Sequence, residues 1–129
     1  MIKTPSVPVS WGELIDKITI LEIKSKKIIR EPAALNINTE LSLLSKIAKE
    51  VLQDEVFQTL KADLFLVNSE LWDIEDQIRL KESMKQFGDE FVSLARSIYQ
   101  KNDLRAKLKR SLNEKLASGL MEEKSYRQY

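Results

Sequence analysis

A carboxylate and several cationic or amide side chains stand in this sequence where apolar residues are expected. In the stretch VSWGELIDKITILEIKSKK, residues 9–27, Glu22 falls between Ile15 and Ile29 on a helical wheel, inside the sector that should be buried. Further on, Asn102, Arg105 and Lys109 share a helical face with Phe91, Ile98, Leu112 and Leu116. They interrupt an apolar stripe for about two turns. Beside a third stripe, Asn68, Glu75, Arg79 and Glu82 form a polar ribbon with Trp72 on its outer edge. A buried ion without a partner costs several kcal/mol, so these groups must pair with one another, reach water or hold a ligand. Glu22 calls for a cation from a neighbouring helix, and Arg79, Arg105 and Lys109 are the candidates. Two chemistries are open, beside a polar seam that simply faces solvent or another subunit. One is a sealed salt-bridge network that fixes helix register. The other is a polar pocket in which Arg105 and Lys109 hold an anionic small molecule while Glu22, Glu75 and Asn68 orient it.

Other chemistry is thinly represented. Carboxylates three residues apart, Glu13 with Asp16 and Glu70 with Asp73, could hold Mg²⁺ as in all-helical nucleotide pyrophosphohydrolases. Glu13 is accounted for by a helix cap, however, and Glu70 and Asp73 project away from the seam, so no metal site and no cofactor is assigned. The chain has no His and no Cys, which removes zinc sites, thiolate chemistry, disulfides and most general-base arrangements. Its serines have no base beside them and no Gly-rich phosphate cradle occurs, so catalysis is poorly supported.

A net charge of +1 gives no global field toward nucleic acid or an anionic membrane. Locally, residues 17–30 hold five Lys or Arg against one acid, and residues 101–115 hold six against two. No aromatic side chain interleaves either run, so solvated helix faces are expected and nucleic-acid binding is not.

The elements that position these residues are helical. High charge with only 3 Gly and 3 Pro in 129 residues favours long surface-charged helices. Residues 1–9 form an extended arm, fixed by Pro5 and Pro8. Ser10 and Glu13 make a capping box, with Val9 and Leu14 as its hydrophobic staple, so the first helix begins at Trp11. Its stripe is Leu14, Ile18, Leu21 and Ile28, up to Pro32. A second helix carries Ile37, Leu41, Leu44, Ala48 and Val51, with Asn36, Asn38 and Thr39 as alternative caps. From Glu55 the positions Phe57, Leu60, Leu64, Val67, Leu71, Ile74 and Ile78 repeat at three and four, predicting a long helix aligned with its neighbours. Phe87-Gly88-Asp89 supplies a stop and a new N-cap, and a fourth helix runs from about Glu90 to Ala117, with Gly119 past its end. No stretch alternates with period two. The fold class is all-α, a bundle of about four helices, two or more of them long, over residues 10–118. Residues 119–129 form a polar tail or docked strap.

The longest wholly apolar run is Leu64 to Val67, so nothing is expected to span a membrane or direct export, and the cytoplasm is the default. Ile20 and Ile23 point away from the main stripe of the first helix, and Leu66 does so on the third. A second apolar surface of this kind means either burial on two sides or a homodimer contact, and the dimer is preferred. Trp11 and Trp72 fit packing or interface roles.

The blocks VSWGELIDKITILEIK (9–24), LWDIEDQIRLKE (71–82), FGDEFVSLARSIYQKNDLRAKLKR (87–110) and EEKSY (122–126) carry one further reading. Through them the chain resembles a domain family of unknown function found in small bacterial and phage proteins. The likeness covers both ends and most of the chain except residues 30–55. It implies a shared helical domain, brings no activity with it, and places Glu22, Glu75, Arg79, Asn102 and Arg105 within matching blocks. By chemistry alone the polar cluster is also similar to that of the all-helical chorismate mutases, whose sequence pattern is absent here. The sequence thus reads as a helical binding or interaction module, with a small-molecule binder or enzyme for an anionic metabolite as the alternative.

Overall fold

In the computed structural model, which describes residues 2–117, 122–125 and 127, Ser10 starts the first helix as expected. Its backbone is extended and its hydroxyl accepts a hydrogen bond from the Glu13 amide at 3.1 Å. Helix α1 then spans Trp11–Lys27. The second half of the capping box takes another course, because the Glu13 carboxylate meets Lys109 at 2.9 Å. Lys24, Lys26 and Lys27 crowd the last turn, where the helix dipole favours cations.

Helix α2 spans Ala33–Ala48. Asn36, Asn38 and Thr39 lie inside it and cap nothing; the Glu31 carboxylate instead accepts from the Leu35 amide at 3.1 Å. After a 3₁₀ turn at Val51–Gln53, Asp54 caps helix α3, Glu55–Ser83, by accepting from the Val56 amide at 2.9 Å. This helix stops earlier than Phe87-Gly88-Asp89 suggested. Lys85 takes the left-handed conformation at φ 53°, and the Gln86 amide bonds back to the Lys81 carbonyl at 2.9 Å, a Schellman closure that usually uses glycine. Gly88, rather than Asp89, is the N-cap of helix α4, Asp89–Lys115. Gly119 lies outside the described residues. Among the described residues there is no strand, and the all-α bundle of four helices stands.

Helix α1 packs against each of the other three, and α3 packs additionally against α4. Leu14, Ile15 and Ile18 of α1 meet Ala48, Leu64 and Leu112 in a core flanked by Trp11, Leu44, Phe57, Leu60 and Leu108. Burying side chains of this size contributes about 1.5–3 kcal/mol each. The long helices run antiparallel. Lys81 pairs with Glu90 at 2.5 Å, and an equal step along both helices brings Lys101 to Glu70. At 29 and 27 residues both helices outrun the 17 residues of α1, so their distal halves form a two-helix projection. There Leu80, Met84, Phe87 and Val92 are exposed, with Phe87 edge-on to Phe91.

α1 also buries a second row, Gly12, Asp16, Thr19 and Ile23, spaced at three and four like the main stripe. Gly12 opens this row to α4. A Cβ there would stand 2.5 Å from the Lys109 carbonyl oxygen and 3.0 Å from the Asn113 side chain. The Gly12 amide donates to Asn113 Oδ1 at 2.6 Å. Gly12→Ala should therefore lower stability by about 1–3 kcal/mol, despite alanine's higher helix propensity, and a thermal melt followed by circular dichroism reads the loss.

Candidate functional site

Asp16 is the centre of the polar interior. It is 1% exposed and sits one turn after Gly12, facing both long helices. Arg105 of α4 grips it with two bonds, Nε to Oδ1 at 2.9 Å and Nη2 to Oδ2 at 2.6 Å. Asn68 of α3 donates to Asp16 Oδ1 at 2.9 Å and to Thr19 Oγ1 at 2.9 Å. Thr19 in turn donates to the Asp16 carbonyl oxygen at 2.7 Å. Every fully buried side-chain nitrogen or oxygen among the described residues has a partner, so the network satisfies itself. The hydrogen bond to Asp16 raises the Arg105 pKa, burial opposes the shift, and the Asp16 charge adds to it.

Lys109 lies one turn beyond Arg105 and its side chain is only 9% exposed. Burial works against its charge, but hydrogen bonds to Glu122 at 2.6 Å and Glu13 at 2.9 Å outweigh that, and its pKa is raised. Glu122 and Glu123, among the described residues beyond α4, lie against that helix, with Glu123 on Arg110.

Glu22 does not join these groups. It pairs with Lys61 of α3 at 3.0 Å, not with Arg79, Arg105 or Lys109, and it lines an open hollow of about 620 Å³ with Leu41, Leu52 and Phe65. Ser25 donates to the Glu22 carbonyl at 2.7 Å. Of the seven residues singled out from the sequence, Asn68, Glu75, Arg79, Asn102 and Arg105 line one cleft of about 510 Å³ between α1, α3 and α4. Lys109 lies outside this cleft but shares a smaller hollow of about 280 Å³ with Asn102, Arg105, Glu13 and Glu122. The cleft floor is apolar, built from Ile20, Ile23, Leu71, Trp72 and Ile98. Ile23 is 3% exposed and serves the interior, and with the half-buried Ile20 it lines this cleft. Arg79 pairs with Glu75 at 3.4 Å, whereas Asp76, at the same cleft, has no ion-pair partner among the described residues.

Each carboxylate of the two candidate Mg²⁺ pairs faces a cation: Glu13 meets Lys109, Asp16 meets Arg105, Glu70 meets Lys101, and Asp73 lies 3.9 Å from Lys27. Among the described residues no three acidic or ligating side chains cluster, and no helix is long and apolar enough to cross a membrane.

In the sequence Asp16 stands out only as a carboxylate three residues from Glu13. The signal was the row Gly12, Asp16, Thr19, Ile23, which follows helical spacing as faithfully as the apolar stripe. Fold and site together define an all-helical domain tied by a buried Asp–Arg–Asn network beside an open cleft. The chain belongs to the family of unknown function DUF6165, whose model matches residues 5–129. No curated protein and no solved structure matches it.

Two measurements follow from this geometry. Asp16→Ala strands Arg105 and Asn68 and should cost about 3–5 kcal/mol, whereas Glu22→Ala, which breaks a part-exposed pair, should cost less than about 1 kcal/mol; urea denaturation separates them. The Glu122 carboxyl is held down at about 2 from its usual 4.5, chiefly by its hydrogen bond to Lys109. The contribution of the Glu122–Lys109 contact is therefore complete above pH 4.5 and lost as pH falls through about 2. Carbon-detected NMR titration of the Glu122 side chain should show that midpoint, and Lys109→Met should move it back toward the ordinary carboxylate range.

Proposed function

We propose that this domain is a binding module whose cleft between α1, α3 and α4 takes an apolar segment carrying a cationic group, presented by a partner protein. The observation that carries this reading is the state of Arg105. Its charge is matched by a carboxylate that is 1% exposed, so it has little left for an incoming anion. Arg79 is likewise shared with Glu75. What the cleft offers instead is the surface of Leu71, Trp72, Ile98 and Ile20, with the Glu75 and Asp76 carboxylates and the Asn102 amide beside it. Its volume, about 510 Å³, falls within the usual range of sites that enclose a ligand. An anionic metabolite held by Arg105 and Lys109 is disfavoured because, in the smaller hollow they share, Arg105 is already matched by Asp16 and Lys109 by Glu13 and Glu122.

Trp72 gives the test a local reporter. The chain has two tryptophans, so a Trp11→Phe variant leaves Trp72 as the single emitter. Titration with n-octylammonium should shift its emission and saturate. Octanoate, of equal chain length, should bind about threefold more weakly or worse, as expected for one solvent-screened charge contact. Asp76→Asn should narrow that difference. Equal or tighter octanoate binding, or no response to either probe, would overturn the reading.

A further inference from the structure

Glu22 and Ser25 take no part in the network around Asp16, and the hollow they line is a second site, separate from the cleft. We infer that this hollow, bounded by α1, α2, the 3₁₀ turn and α3, binds a medium-chain apolar carboxylate. Its volume of about 620 Å³ lies in the usual range of ligand sites. Leu41, Leu52 and Phe65 are its apolar wall, and each is only half-buried. Ser25 is one reason for the open space. It stands four residues after Leu21 and three before Ile28, where the main stripe of α1 calls for a large apolar side chain. Its hydroxyl instead donates to the Glu22 carbonyl oxygen of its own helix at 2.7 Å, a local bond that serines favour.

The charges around the wall select the ligand. Glu22, Lys26 and Lys61 are the charged groups that line the hollow, two cations against one carboxylate. Lys61 meets Glu22 at 3.0 Å through one of its three N–H donors, and the other two remain for a ligand. Lys26 has no ion-pair partner among the described residues and stands 5.0 Å from the centroid of the Phe65 ring, so its charge sits over the apolar wall itself. A ring face attracts a cation without neutralising it. The surplus is one positive charge, which matches a carboxylate rather than an ammonium group, and the wall matches the chain attached to it. Glu22, out of place beside an apolar stripe, thereby gains a role: its bond holds the Lys61 ammonium at the site.

Decanoate added to the isotopically labelled full chain should shift the methyl signals of Leu41 and Leu52 in NMR spectra, and the shift should saturate. Decylammonium, of equal chain length, should bind about threefold more weakly or worse at the same signals. Lys26→Glu turns the surplus into one negative charge and should weaken decanoate by about tenfold; Lys26 is exposed, so this variant keeps the fold. Ser25→Leu fills the hollow and should abolish the shift while helical circular dichroism and the melting temperature hold, since leucine completes the stripe and favours helix. No saturable shift, equal or tighter binding of decylammonium, or decanoate binding untouched by Lys26→Glu would each sink the proposal. Lys26→Glu should leave the n-octylammonium titration of Trp72 unchanged, so the hollow and the cleft can each fail without the other.

Discussion

The buried Asp16 carboxylate dictates much of the architecture. A charge that is 1% exposed is tolerable only if every lone pair facing the protein is met, and the partners come from two other helices, Asn68 on α3 and Arg105 on α4. The bidentate grip fixes both the distance and the rotation of α4 relative to α1, because a planar guanidinium meets a carboxylate edge in few orientations. Gly12, one turn earlier, lets the two backbones come close enough for that grip. Apolar contacts between the same helices contribute more total free energy, yet they are non-directional and would accept neighbouring registers.

The other ion pairs are of a different kind. Glu22 with Lys61, Lys101 with Glu70 and Lys81 with Glu90 all lie where water reaches them, and pairs of that sort contribute little each. Their arrangement still matters to the surface that results. Asp76, beside the cleft, takes part in none of these pairs. Charge that is not used inside the molecule is what a partner can read.

The helices were legible in the sequence because their signals are local. Ser10 and the three-and-four spacing from Phe57 to Ile78 each identified an element without reference to the rest of the chain. The stop after Ser83 was not legible, since it depends on a lysine adopting a backbone shape that usually belongs to glycine. The polar interior was half legible. Arg105 and Asn102 stand out on an apolar face, and Asn68 in a polar ribbon beside one. The sequence points to Glu22 as the carboxylate for Arg79, Arg105 or Lys109, because a wheel centred on the main stripe puts it inward, whereas α1 buries two stripes and Asp16 lies on the second. Helix periodicity reveals how many residues face inward only when the number of neighbouring helices is known, and α1 has three.

The order of the chain adds a constraint of its own. Asp16 and Gly12 lie near one end of the sequence, and the groups that complete them, Arg105 and Asn113, lie 89 and 101 residues further on. A nascent chain carrying only the first three helices has the core faces of α1, α2 and α3 in hand, but also a carboxylate whose principal partner has not been synthesised. Desolvating it at that stage is uphill, and closing so long a loop brings its reward only at the end. Helix α4 therefore acts as a completion signal: the interior of α1 can close tightly only once α4 has been made, so the four helices fold as one unit rather than one after another.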